Sequence, residues 1–202
     1  MTRFLFLAAG YRADPSMRLL PEMTHNSLRI RPALLSDSAV LPAIERSAAL
    51  LFAEVPGYED FVTKPVIDQM THARWMTEGA YLIAESSFGR RVAFLAARCS
   101  GGIVTILEVS VRRSYQRRGI GRALLARCLR DAERDWVDQV WLGANLAFEW
   151  NAPLYGAMGF LPADGEPVPI AVRNAAWDDP RCLGGPTGKC GWMVSRTDRL
   201  RR

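Results

Sequence analysis

Leu107-Glu108-Val109-Ser110-Val111-Arg112-Arg113-Ser114-Tyr115-Gln116-Arg117-Arg118-Gly119-Ile120-Gly121-Arg122-Ala123-Leu124-Leu125 is the stretch on which the reading of this chain turns. Its apolar residues alternate from Leu107 to Val111, the period of a half-buried strand. A basic, glycine-bearing turn follows, and then Ile120, Leu124, Leu125 and Cys128 recur at helical spacing. A strand, a tight turn and a helix starting between Gly119 and Arg122 are therefore expected. A helix start leaves backbone N–H groups without carbonyl partners, which suits an anionic group. Arg117, Arg118 and Arg122 add positive charge at the same place. An ordinary strand–helix junction with a solvated basic surface would use the same residues, and local physics does not separate the two readings.

The rest of the chain narrows the choice. At 202 residues, 49% hydrophobic and 23% charged, it has material for a real core and does not have the composition of a disordered chain. The simplest division is an N-terminal extension over 1–26 and one domain over 27–202. Periodic sequence begins only after Met23, which is a second candidate start. The formal charge of +5 fits a polyphosphate-bearing ligand, a nucleic acid or simply a basic surface. Part of that excess lies in Arg196, Arg199, Arg201 and Arg202, away from the turn, and no nucleic-acid-binding motif accompanies it. The apolar run Phe4 to Ala9 is too short to span a bilayer and does not read as a signal peptide, so neither membrane nor secretion is expected. Cys99, Cys128, Cys182 and Cys190 read as reduced cysteines of a cytoplasmic protein, with a Cys182–Cys190 pairing left open. No metal-ligand set is expected, because His25 and His72 lie far from the cysteine pair.

In chain order, Leu28 to Ala33 reads as a short strand. A helix to about Phe52 follows, capped by Ser36 or Asp37, and a weaker one runs from about Pro65 to Glu78 and ends at Gly79. Tyr81–Ser86 and Val92–Cys99 should pair as a hairpin, and Gly101-Gly102 turns the chain into a strand from Ile103 to Val111. After the helix that begins at Ile120 come a strand at Val137–Leu142 and a short helix capped by Asn151 and closed by Gly159. A weak strand at Val168–Val172 and a last one at Gly191–Val194 complete the order.

Gln116-Arg117-Arg118-Gly119-Ile120-Gly121, with Val111 closing a strand eight residues before the first glycine, resembles the acyl-coenzyme A site of the GNAT superfamily of N-acetyltransferases. A second match lies at the family's distance: Asn151-Ala152-Pro153-Leu154-Tyr155-Gly156-Ala157-Met158-Gly159-Phe160 resembles its asparagine–tyrosine helix and the strand start beyond it. The order of elements from about 28 to 161 agrees as well; residues 1–26 fall outside the resemblance and 162–202 fit it poorly.

The resemblance implies an α/β fold of the GNAT acyl-CoA N-acyltransferase type, a curved mixed sheet splayed between two central parallel strands and flanked by helices. The pantetheine arm of acetyl-CoA would meet Glu108 to Val111, with Val109, Ser110 and Val111 as its backbone partners. The pyrophosphate would rest on Gln116, Arg117, Arg118, Gly119, Ile120, Gly121 and Arg122, and Asn151 would cap its helix and touch the cofactor. Tyr155 matches the position whose hydroxyl lies near the coenzyme sulfur, the place of a general acid; a ring that merely packs against the split is its plainer role. Glu108 is an acid within an apolar strand, which makes it a candidate base or ammonium anchor and equally a candidate for a structural ion pair. Glu54, Tyr58 and Glu59 lie where the family commonly builds its acceptor pocket and would suit a small primary amine, with a peptide N-terminus or lysine also open. A homodimer is common in the family. The alternatives are a non-catalytic acyl-CoA-binding or sensing protein of the same fold, acyl transfer to a hydroxyl or from a longer acyl chain, and a nucleic-acid binder using the basic turn.

Overall fold

The computed structural model describes residues 28–135, 137–145, 148, 151–177 and 190–197. The extension expected at 1–26 and the Cys182–Cys190 question lie outside the described residues. The strands are β1 (Arg29–Pro32), β2 (Gly79–Glu85), β3 (Arg91–Ser100), β4 (Ile103–Val111), β5 (Gln139–Asn145), β6 (Leu161–Pro162) and β7 (Cys190–Arg196). The helices are α1 (Leu41–Ala49), α2 (Gln69–Glu78), α3 (Ile120–Arg134), α4 (Asn151–Gly156) and α5 (Ile170–Trp177). The strands form one sheet in the order β1-β2-β3-β4-β5-β7-β6, antiparallel throughout except for the central β4–β5 pair.

Two apolar layers sandwich this sheet. On one face Leu95, Val104 and Ile106 pack with Ile120, Leu124, Leu125 and Cys128, the stripe of α3. On the other, Tyr81, Phe94 and Leu107 pack with Leu41 and Ile44 of α1 and Trp75 of α2. The crossover β4–α3–β5 places two parallel strands side by side, as such a connection requires.

Asp37 does not cap the first helix. Its carboxylate is fully buried three residues inside a 3-10 segment, Leu35–Val40, where it accepts the Leu34 N–H at 2.8 Å and binds Arg31 and Arg91. The side chain of Asp68 caps α2 through the Thr71 N–H at 2.9 Å. Gly79 then lets α2 run directly into β2, since a Cβ there would lie 2.3 Å from the Ala97 carbonyl oxygen. The strand expected at Val168–Val172 is a helix instead. The Pro169 carbonyl accepts the N–H groups of Val172 and Arg173, so the proline sits where a helix start tolerates it, and Val172 is buried with Trp141, Ala163 and Val194.

Candidate active site

The site grows from a mismatch between two neighbouring strands. β4 and β5 pair only from Ile103↔Gln139 to Ile106↔Leu142, although β4 runs on to Val111 and β5 to Asn145. Beyond that point β4 stays paired to β3, and β5 stays paired to β7. The two strands therefore part at Leu107 and Gly143, and a cleft opens in the middle of the sheet.

A bulge sits where the parting begins. Ala96 pairs with Glu108 and Ala97 with Ile106, so Leu107 is the extra residue. The alternation expected from Leu107 to Val111 breaks there. Leu107 packs on the α1 face, whereas Val109 and Val111 pack on the α3 face. Glu108, which unbroken alternation from Val104 and Ile106 would have driven into the α3 layer, is half-buried and accepts a hydrogen bond from Ser110 Oγ at 2.7 Å. The Arg112 N–H donates to the Val92 carbonyl at 2.9 Å, which fixes the phase of the antiparallel ladder. With that phase the backbone groups of Val109 and Val111 point away from β3, into the cleft.

The turn beyond Val111 is anchored from below. The Arg113 N–H donates to Ser47 Oγ at 3.2 Å. Gln116 Nε2 donates to the carbonyls of Val111 at 3.0 Å and Ala48 at 3.3 Å, and its Oε1 accepts from Arg113 at 3.2 Å. The Gln116 side chain thus braces the loop against β4 and α1. Arg117 and Gly119 both take the left-handed conformation, with φ of 61° and 76°. A non-glycine residue held there stores backbone strain. Gly119 stands at the N-cap of α3, beside the exposed side chains of Arg117, Arg118 and Arg122. Ile120 itself is buried in the α3 layer. At Gly121 a Cβ would only graze Val111 and Val109, at 3.8 and 4.0 Å, so the chain's own packing does not demand glycine.

The far wall comes from the end of β5 and from α4. Asn151 does not act as a side-chain cap; its Nδ2 donates to the Asn145 carbonyl at 3.1 Å. Asn145 Nδ2 in turn donates to the Tyr58 hydroxyl at 3.1 Å. Tyr58 is buried, with its ring centroid 4.6 Å from Phe148 and 5.3 Å from Phe61, and Phe52 stands 5.3 Å from both Phe148 and Phe61. Glu54 is ion-paired to Arg113, and Glu59 is exposed in the 3-10 turn Glu59–Val62. Asn145, Phe148, Ser47 and Arg113 had no motif to mark them.

Tyr155 projects from α4 onto the α3 side of the cleft, edge-on to Phe160 at 6.1 Å. Burial pushes its hydroxyl up to about 12, and the Glu108 carboxylate adds to the shift. The two sequence-selected residues thus face each other electrostatically, one from each side of the sheet. The phenol is a proton donor at every physiological pH.

A sheet split between parallel strands, with a left-handed basic turn closing one end and a carboxylate beside a high-pKa phenol, defines the acyl-CoA N-acyltransferase architecture. A family model for the Acetyltransferase (GNAT) domain matches residues 77–162. Over 75 residues it is 31% identical to the ribosomal protein bS18-alanine N-acetyltransferase of Escherichia coli strain K12, covering 37% of this chain and 51% of that protein. The chain thus spans about half the length of the curated relatives it matches. The crystal structure of the ribosomal-protein-S18-alanine N-acetyltransferase from Escherichia coli superposes with a TM-score of 0.60 at 18% identity, over 84% of this chain and 93% of that one. The PaiA N-acetyltransferase from Thermoplasma acidophilum in complex with coenzyme A gives 0.60 at 12% identity, over 84% and 99%. At such identities the superpositions establish the fold.

Proposed function

We propose that this chain is an acetyl-CoA-dependent N-acetyltransferase that moves an acetyl group to a primary amine by direct attack in a ternary complex. The observation that carries the reading is the parting of β4 from β5 at Ile106/Leu142, with Val109 and Val111 turned into the opening and Tyr155 within electrostatic reach of Glu108. The residues present fit the donor. Val109 and Val111 offer backbone groups of the kind a pantetheine amide adds to, as an extra strand would. The left-handed turn at Arg117 and Gly119, the start of α3 and three exposed arginines suit a pyrophosphate, with Gln116 bracing the loop from behind. The space left at Gly121 agrees with close approach of such a group.

When bound, acetyl-CoA supplies a thioester activated toward amines. Glu108 accepts the proton of the incoming ammonium, so that the amine attacks in its neutral form. The N–H of Val109 or Val111 donates to the carbonyl oxygen as charge gathers there. Tyr155 keeps its proton across neutral pH and delivers it to sulfur as the carbon–sulfur bond breaks, and the resulting phenolate takes up the second proton that the newly acylated nitrogen releases.

The acceptor approaches from the side of Tyr58. Its ring and those of Phe52, Phe61 and Phe148 make an apolar flank, while Glu59 stays exposed nearby and Glu54 is engaged with Arg113. This favours an amine carrying an apolar neighbour, among small molecules or at a peptide N-terminus. The bS18-alanine N-acetyltransferase among the relatives supports including the latter. Release of free thiol from acetyl-CoA, followed over polyamines, amino acids, amino sugars and alanyl-terminated peptides, tests the proposal. Amine-dependent release from at least one class is expected. Coenzyme A binding with no amine-dependent release would make the chain a sensor, and oligonucleotide binding that coenzyme A fails to displace would make it a nucleic-acid protein.

A further inference from the structure

Ser110 has a side chain that its strand position does not ask for. It is 3% exposed within β4, where an apolar residue would pack without needing a partner. Its hydroxyl finds that partner in Glu108, donating to Oε1 at 2.7 Å, within the range of a hydrogen bond to an ionised acceptor. Two apart in one strand, Glu108 and Ser110 share a face, and the bulge at Leu107 turns that face away from the α3 layer.

We infer that Ser110 is a positioning residue for the reaction: its hydroxyl holds the Glu108 carboxylate where β4 and β5 part and stabilises its charged form. The inference rests on the reading of Glu108 as the base. A donated hydrogen bond favours the ionised carboxylate, so it keeps Glu108 deprotonated at pH values where an unaided carboxyl beside an apolar wall would take up a proton. It also restricts the side chain's rotamers, which a base must have in place before the amine arrives.

Charged and titratable groups on the packed elements, among the described residues, include Arg91 and Arg98 of β3 and Tyr81 of β2. α4 brings Tyr155, whose hydroxyl interacts with Glu108. α1 brings Glu45, which is turned to the Ile67 N–H at 3.2 Å and to His72, and Arg46, which is exposed. α5 brings Arg173, also exposed. β3 opposes Glu108 with Ala96, and the end of β5 presents the neutral Asn145. Among these neighbours the Ser110 hydroxyl donates to the carboxylate directly, at 2.7 Å.

Carboxyl-carbon NMR titration of the full chain, with the Glu108 resonance assigned by its loss in Glu108→Gln, reads the effect without any acceptor. In Ser110→Ala the Glu108 midpoint should rise by about one pH unit, equivalent to about 1.4 kcal/mol. Ser110→Cys, close in shape and a poor donor, should match Ala and serves if the smaller side chain disturbs folding. Ser110→Thr, which keeps the hydroxyl, should restore the wild-type midpoint, and the acidic limb of kcat/KM in the thiol-release assay should follow the same order. A Glu108 midpoint unchanged in both Ala and Cys variants overturns the inference and leaves the base reading standing. Unchanged turnover in Glu108→Gln overturns the base reading itself.

Discussion

Asp37→Asn should be among the most damaging single substitutions outside the site, and the structure gives its scale. Each oxygen of Asp37 accepts two hydrogen bonds: Oδ2 from Arg31 Nη1 at 2.7 Å and Leu34 N–H at 2.8 Å, Oδ1 from Arg31 Nη2 at 3.1 Å and Arg91 Nε at 2.9 Å. Whichever way an asparagine amide turns, its NH2 group faces two donors. Burial alone would raise the Asp37 carboxyl, yet the hydrogen bonds from Arg31, Leu34 and Arg91 outweigh it and bring the value from 3.8 to about 2. At 1.36 kcal/mol per unit that shift is worth about 2.4 kcal/mol, and nearer ~1.5 kcal/mol once solvent screening at the 38% exposed Arg91 is allowed for. Adding the misdirected NH2 group, the total loss should be about 2–4 kcal/mol. The pH dependence has a definite sign. A depressed carboxyl contributes in full above its unfolded value of 3.8 and loses that contribution as pH falls toward about 2. Urea denaturation at pH 7 should show the deficit, and the gap between wild type and variant should narrow between pH 4 and pH 2. A variant within about 0.5 kcal/mol of wild type at pH 7, or a gap that widens in acid, would refute the reasoning.

Three further outcomes follow from the same geometry. Gly79→Ala drives a Cβ to 2.3 Å from a β3 carbonyl and must shift α2 against the sheet, so it should cost about 1–3 kcal/mol by chemical denaturation. Burial pushes the Cys128 thiol up to about 12, and α3 buries it fully; iodoacetamide mapping should find it unmodified in the native protein and labelled only after unfolding, with half-buried Cys99 reacting earlier. Asn145→Ala removes the donor to Tyr58 at 3.1 Å, so it should raise KM for the amine more than it lowers kcat, measured in the thiol-release assay.

Much of this molecule is legible in its sequence, and the failures share a cause. The stripe Ile120, Leu124, Leu125, Cys128 predicts α3 because one helical face answers to one apolar layer. The strand bounds Ile103–Val111 agree with β4 because turns flank it on both sides. What local pattern cannot show is an event set by a neighbouring strand. The bulge at Leu107 depends on pairing with Ala96 and Ala97, and it puts Leu107 on the opposite face from Val109 and Val111. Gln116 resembles a cofactor residue by its place in the motif, yet its side-chain partners are the carbonyls of Ala48 and Val111, and Ala48 is distant in sequence. Val168, Ile170 and Val172 alternate as a strand would; the covering of Val172 by Trp141 and Val194 selects a helix there. Tyr155 and Glu108 were picked out separately, by motif and by an acid out of place, and only the fold brings them to one cleft.

The central claim is that Tyr155, held protonated beside Glu108 in the split between β4 and β5, serves acetyl transfer. The most direct measurement is steady-state thiol release by Tyr155→Phe with acetyl-CoA and a responsive amine. Phenylalanine keeps the ring against Phe160 and removes only the proton donor, so kcat should fall by about 10²–10⁴ while KM for acetyl-CoA stays near wild type. A Tyr155→Phe enzyme that turns over at the wild-type rate would contradict the account.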